Sequence, residues 1–240
     1  MKHKSLSLSV HELVDFLLRT GSIDDRVFNV SSMTRGIALH THYQSKQHEN
    51  YVSEFLCEET FYIDDWAVTL RGFADGVDLT AEPPLVEEIK STNEDIDHFH
   101  ENYEEWHLGQ AKCYALMIAH KYNFDTMRIN LVYIQQETNE KRVHTYEYSL
   151  LELEEDIENY LEKYLNFYLY VYNHKLLRNE SSKNIKFPFS YLRKGQKMMI
   201  EEVSKIVDEG GIALIEAPTG IGKNNGGTLP RYNIISSREN

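Results

Sequence analysis

The sequence predicts an α/β protein, more closely a mixed α+β domain, followed by a short C-terminal segment of different character. Three observations predict it. Apolar residues recur at helical spacing in several long stretches. Between these lie short segments rich in β-branched and aromatic residues, bounded by turn-prone positions. Hydrophobic residues make up 41% of 240 positions, and a chain of this length buries about 70% of its unfolded surface, so an ordinary core is expected.

The elements follow in order. Val10, Leu13, Val14, Leu17 and Leu18 recur at helical spacing after Ser9, a fitting N-cap, and Gly21 stops the run. A second helix is expected from Arg35 to about Glu54, with Gly36, His40 and Tyr43 near one face. The period then changes. Residues 57–63, 66–73 and 85–90 are rich in β-formers, and the turn-prone Asp64-Asp65 and residues 81–84 separate them, so an antiparallel meander is predicted.

Ala111, Tyr114, Ala115, Ile118, Ala119 and Tyr122 predict a helix over about 106–122, followed by strands at 127–135 and 142–148. A long helix then carries Leu150, Leu153, Ile157, Leu161, Tyr164, Leu165, Tyr168 and Tyr172. Its tyrosines repeat at core spacing and read as packing surface, not as a base-stacking platform.

Residues 179–183 are polar and turn-rich, and the charge changes there. From Lys183 onward nine basic residues face six acidic ones, net +3, which leaves 16 of the 25 basic and 32 of the 38 acidic residues, net −16, to positions 1–182. The expected organisation is a domain over 1–178, a linker over 179–186, a further segment over 187–223 and a tail over 224–240 without order. In that segment Gln196, Met199, Ile200, Val203 and Ile206 predict a helix, and residues 212–215 a short buried strand.

Composition excludes several classes. A net charge of −13 argues against binding polyanions through bulk positive charge, so a nucleic-acid site must be local and metal-assisted. Cys57 and Cys113 are too few for a four-thiolate zinc site or an iron–sulfur cluster, and they read as inert buried thiols in a reducing cytoplasm. The serines, His11 and Glu12 interrupt the N-terminal apolar residues, so neither a signal peptide nor a membrane partner is expected. At roughly 150 residues per domain, a two-lobed motor does not fit.

Two constellations carry chemistry. In the first, Gly72-Phe73-Ala74-Asp75-Gly76 ends one strand and Val86-Glu87-Glu88-Ile89-Lys90 lies in the next. If the two pair, Asp75 sits near the partner of Glu88, while Glu88 and Lys90 leave the same strand face. Two carboxylates and an ammonium converging on one point suit metal-assisted phosphodiester hydrolysis: hard oxygens hold Mg²⁺, and the lysine orients or deprotonates the nucleophile. Gln110 and Tyr114, at i and i+4 on the next helix, can reach the same place, and His40 offers an imidazole from an earlier helix. His40 has an alternative as a satisfied buried histidine, and Tyr114 as plain core. Glu87, Glu94, Asp95, Asp97, Glu101, Glu104 and Glu105 read as a solvated acidic face, and His98, His100 and His107 show no ligand spacing.

Gly36 with His40, then Asp75, Glu88-Ile89-Lys90 and Gln110-Ala111-Lys112-Cys113-Tyr114 together resemble the motif series of the PD-(D/E)XK nucleases, in particular the RecB-like branch. The resemblance covers about residues 6–150. It implies a restriction-endonuclease-like core, a central mixed sheet flanked by helices, and a Mg²⁺- or Mn²⁺-dependent deoxyribonuclease acting on DNA ends or single strands. By the same resemblance His40, Asp75, Glu88 and the main-chain carbonyl of Ile89 hold the metal, Lys90 is the catalytic lysine, and Gln110 and Tyr114 position DNA or the lysine. The iron–sulfur staple of some members of this branch cannot be built from two cysteines.

The second constellation, Glu216-Ala217-Pro218-Thr219-Gly220-Ile221-Gly222-Lys223-Asn224, nearly matches a phosphate-binding loop, with Asn224 in place of the hydroxyl residue that holds Mg²⁺. With the preceding stretch from Phe187 to Gln196 it resembles the opening of a DinG/XPD-type superfamily 2 DNA helicase. The resemblance implies an adenine contact at Gln196, phosphate contacts at Gly220, Gly222 and Lys223, weak ATP binding, and a DNA-repair or helicase partner. It stops at Lys223. The expectation is a truncated or frameshifted part of a longer nuclease–helicase polypeptide, with no helicase activity. The alternative is a non-catalytic DNA- or nucleotide-binding fragment.

Overall fold

The chain opens on a strand. Residues 4–9, Lys-Ser-Leu-Ser-Leu-Ser, alternate polar and apolar side chains at the period of a strand and form β1 (Lys4–Ser9). The computed structural model describes residues 3–19, 30–182, 190–192, 195–210, 212 and 214–216. It divides the chain into two units, 1–165 and 166–240. After β1 come α1 (Val10–Leu18), α2 (Val30–Gln44), β2 (Tyr51–Ile63), β3 (Trp66–Asp78), β4 (Leu85–Thr92), α3 (Ile96–Tyr122), β5 (Thr126–Gln135), β6 (Lys141–Ser149), α4 (Leu150–Ser182) and α5 (Gln196–Glu209).

Six strands form one mixed sheet. β2 pairs antiparallel with β3 from Tyr51↔Asp78 to Ile63↔Trp66 and so takes up one whole edge of β3. The other edge is shared. β1 runs parallel to its first half, Lys4↔Trp66 to Ser9↔Arg71, and β4 runs antiparallel to its last residues, Gly76↔Glu87 to Asp78↔Leu85. Residues 72–75 pair with neither, and the sheet forks there. β4 continues parallel to β5, which pairs antiparallel with β6.

Helices cover both faces of β4 and β5. Leu39 and Tyr43 of α2 pack on Ile89, Val132 and Ile134. Gly36 permits this approach, because a Cβ there would stand 2.7 Å from Oγ of Ser91. The alternate side chains, Glu88 and Lys90, face the side where α3 lies. Capping places the helix starts: Ser9 and Glu12 form a reciprocal capping box at α1, and Oδ1 of Asp95 accepts from the amides of Asp97 and His98 at the start of α3. Asn123 at φ 59° ends α3. Leu153, Ile157, Leu161 and Leu165 form the buried stripe of α4.

The mixed architecture and the meander β2–β3–β4 agree with the sequence analysis. Several boundaries differ. α2 ends at Gln44, and Tyr51 already belongs to β2, because pairing along the full length of β3 outweighs the helical spacing read to Glu54. α3 starts ten residues earlier than expected, at the Asp95 cap. α4 runs to Ser182, into the stretch read as a linker from 179. Of the residues in the buried strand expected over 212–215, Ile212 and Leu214 are 96% and 99% exposed, with no partner strand beside them among the described residues. The phosphate-binding-loop residues Gly220, Gly222 and Lys223 lie outside the described residues, as does the tail over 224–240. Gln196 opens α5 behind Gly195, which has φ 88°, and is buried. Among the described residues no helix is long and apolar enough to cross a membrane.

Candidate active site

The site lies in the fork of the sheet. Beyond the last β3–β4 pair on that side, Gly76↔Glu87, the register brings Asp75 opposite Glu88. β4 has turned toward β5 by then, so its amides on this edge lack a strand partner, and Oδ2 of Asp75 accepts the Ile89 amide at 2.7 Å. In an extended strand the N–H and C=O of one residue leave by the same edge, so the Ile89 carbonyl also faces the fork.

Glu88 and Lys90, two apart on β4, form an ion pair. Glu88 is 1% exposed and its Oε2 has no hydrogen-bond donor. Burial pushes its carboxyl up, the Lys90 ammonium opposes this, and the Asp75 charge adds to it. Burial works to lower the Lys90 pKa, but the carboxylates of Glu88 and Asp75 outweigh it and raise it. Lys90 Nζ also donates to Oε1 of Gln110 at 3.3 Å. The lysine is thus charged, aimed from two sides and still 25% open to solvent.

Tyr114 is fully buried, packed against β3 at Gly72, with its phenol pushed up by burial and the Glu88 charge. Its side chain is enclosed by the core and presents no surface to solvent. His40 stands half-buried on α2, its pKa lowered by burial and by Lys90 against the pull of Asp75. The shift favours the neutral imidazole, the form in which a histidine binds a metal. Even so, no group of three His, Cys, Asp or Glu side chains among the described residues closes around a common point. The structure joins Glu88, Lys90 and Gln110 directly, ties Asp75 to the β4 backbone at Ile89, and sets His40 within electrostatic reach of Asp75 and Lys90.

The donor set fits a hard divalent cation: two carboxylates, one with an orphaned buried oxygen, beside a main-chain carbonyl.

Other residues reach this place without a sequence motif. Gln44, four residues after His40, donates to the Asp75 carbonyl at 2.9 Å and to Oε1 of Glu54 at 3.3 Å. Glu54 of β2, opposite Asp75 of β3, has φ 52°. From α1, His11 and Asp15 act electrostatically on Lys90 or are acted on by it. The i,i+4 spacings of His40 with Gln44 and of His11 with Asp15 were the available signals.

Glu87 corrects the expected solvated acidic face. It is 4% exposed and accepts from Tyr43, Tyr51 and Asn130 on the sheet face away from Lys90. Asp95, Asp97 and Glu104 do lie toward solvent, as cap and as acceptors from Arg142 and Tyr146. His107 is buried, bonds the Tyr133 hydroxyl at 3.0 Å and is pushed down to about 2 by burial. Cys57 and Cys113 are free, buried thiols.

Two solved structures are similar to the chain at low identity. One is the crystal structure of SSO0001, at 18% identity over 65% of this chain and 75% of that one, with a TM-score of 0.39. The other is an alkaline exonuclease, LHK-Exo, from Laribacter hongkongensis, at 14% identity over 71% and 94%, with a TM-score of 0.38. No curated protein matches the chain. The family model of the PD-(D/E)XK nuclease superfamily matches residues 25–192, a span that holds His40, Asp75, Glu88, Lys90, Gln110 and Tyr114. The chain belongs to the PD-(D/E)XK nuclease superfamily.

Proposed function

We propose that this chain is a Mg²⁺- or Mn²⁺-dependent deoxyribonuclease that hydrolyses phosphodiester bonds at DNA ends or in single strands. The observation that carries the reading is the buried Glu88 oxygen without a donor, opposite an Asp75 carboxylate gripped by the β4 backbone. Asp75, Glu88 and the Ile89 carbonyl would hold the cation, with His40 as a further ligand. When bound, the cation supplies Lewis acidity to the phosphate and a lowered pKa to a water.

The protein's own groups do the rest. Lys90 keeps its proton at neutral pH because two carboxylates raise its pKa, so it orients the attacking water by donation and offsets charge on the phosphorane. Gln110 fixes the direction of that ammonium. The acidic surface of residues 1–182 repels phosphate, so substrate is drawn to the cation and Lys90, not to bulk charge.

The test is cleavage of single-stranded and blunt duplex DNA by the purified chain with Mg²⁺ or Mn²⁺. Activity should vanish with EDTA and in Asp75→Ala and Lys90→Ala. Equal residual activity in all three proteins overturns the reading.

For residues 187–223, a helicase-type start in a DNA-repair nuclease–helicase is supported by sequence alone, and cytoplasmic location by cysteine usage. Nucleotide binding there should be weak, since Asn224 replaces the metal-holding hydroxyl. A fluorescent ATP analogue whose binding is unchanged by Lys223→Ala would remove this part.

A further inference from the structure

Glu87 precedes Glu88 on β4, so its carboxylate enters the opposite face of the sheet. Three elements meet on it there. The Tyr43 hydroxyl of α2 donates to its two oxygens at 3.2 and 3.1 Å, the Tyr51 hydroxyl of β2 to Oε2 at 3.0 Å, and Nδ2 of Asn130 of β5 to Oε1 at 3.0 Å. Glycine at position 76, the strand partner of Glu87, makes room: a Cβ there would lie 1.6 Å from the Tyr51 hydroxyl. A buried carboxylate held only by neutral donors is a poor source of cohesion, because apolar side chains of similar volume stabilise at least as well.

Two of the elements that reach Glu87 also carry residues of the site, and the third pairs with the strand that bears Glu88. Tyr43 stands between His40 and Gln44, and Gln44 holds the Asp75 carbonyl. Tyr51 stands three residues before Glu54, the other partner of Gln44. Asn130 lies across from Glu87 in the β4–β5 ladder, one position before Leu131, the partner of Glu88.

We propose that Glu87 is a positioning residue: by tying α2, β2 and β5 to the back of β4, it sets the separation of His40 and Asp75 from Glu88, and hence the affinity of the site for its divalent cation. The inference rests on the nuclease reading above. It assigns Glu87, Tyr43 and Tyr51 no contact with substrate.

Tyr43→Phe and Tyr51→Phe each remove one donor and keep the ring, so both should fold. Glu87→Gln removes the charge. Leu153→Ala, in the core under α4 and away from the fork, serves as a destabilised control. Three readouts are compared: thermal midpoint, Mn²⁺ half-saturation from the free-Mn²⁺ resonance signal, and single-turnover rate with KM for a labelled oligonucleotide.

Outer supports of metal ligands typically contribute 10–100-fold. The Phe variants should therefore weaken Mn²⁺ binding and slow cleavage about 10-fold with KM unchanged, while Leu153→Ala lowers the midpoint without moving Mn²⁺ affinity. Phe variants and Glu87→Gln that bind Mn²⁺ and cleave like the wild type, in a wild type that is active, overturn the positioning role and leave the nuclease reading intact. A wild type that takes up no Mn²⁺ and cleaves nothing overturns both.

Discussion

The Ile89 amide donates to Oδ2 of Asp75 at 2.7 Å, across the point where β3 and β4 part. One carboxylate oxygen is thereby spent on the backbone. Asp75→Asn keeps an acceptor for the amide while removing the charge. It should unfold within a few degrees of wild type by calorimetry, yet lose Mn²⁺-dependent cleavage by at least about 10²-fold.

Removing Lys90 uncovers Glu88. Lys90→Ala leaves a buried carboxyl without its ammonium, which should cost about 3 kcal/mol in urea denaturation, within the range for breaking a buried pair. Adding Glu88→Gln should recover much of that stability, because no uncompensated charge remains, while cleavage stays absent in both proteins. Two additive losses of stability in the double variant would contradict the coupling.

His120 clasps three elements. Its Nδ1 meets Oε1 of Glu59 on β2 at 2.8 Å and its Nε2 meets Oε1 of Glu154 on α4 at 3.1 Å. Burial opposes a charge on the ring, but the two carboxylates outweigh it and raise the pKa above 6.5. The protonated clasp therefore contributes fully below about pH 6.5, and its contribution fades as pH rises through the folded-state value. Midpoints measured from pH 5.5 to 8.5 should show this loss in the wild type and a flatter profile in His120→Gln.

Gly36 sets the seat of α2. Gly36→Ala would bring a methyl to 2.7 Å from Oγ of Ser91 and should cost roughly 1–2 kcal/mol through overpacking. Ser91→Gly in the same chain should relieve most of it. Equal losses in both backgrounds would mean that α2 does not press on β4 there.

The two thiols should be silent. Burial pushes Cys57 up to about 12 and Cys113 higher still, so neither presents a thiolate at neutral pH. Titration with a chromogenic disulfide should find no fast thiol in the native chain and both after denaturation in concentrated guanidinium.

Much of the site was legible because its chemistry is local. Glu88 and Lys90 share a strand face at any register, and Gln110 with Tyr114 share a helix face. The pairing that sets Asp75 opposite Glu88 could also be read, since a short turn with Pro83 and Pro84 joins two β-rich segments. β1 was missed although Ser-Leu-Ser-Leu-Ser has a strand's period; the run is short, and its pairing partner, Trp66–Arg71, lies some sixty residues away. The end of α2 is hard to read for a related reason: from Tyr51 onward, pairing with the distant β3 decides the structure.

Glu87 marks the limit of such reading. In the sequence it is one acid among many, and nothing in Val-Glu-Glu-Ile-Lys separates it from a solvated neighbour. Its partners come from positions 43, 51 and 130, and only folding assembles them. The sequence by itself determined the mixed α/β class, the acidic character and the residue types of the site, because these follow from periodicity and composition. The fork that exposes one edge of β3, the orphaned oxygen of Glu88 and the burial of Tyr114 were decided by tertiary structure, because each depends on which distant strand or helix occupies the neighbouring space.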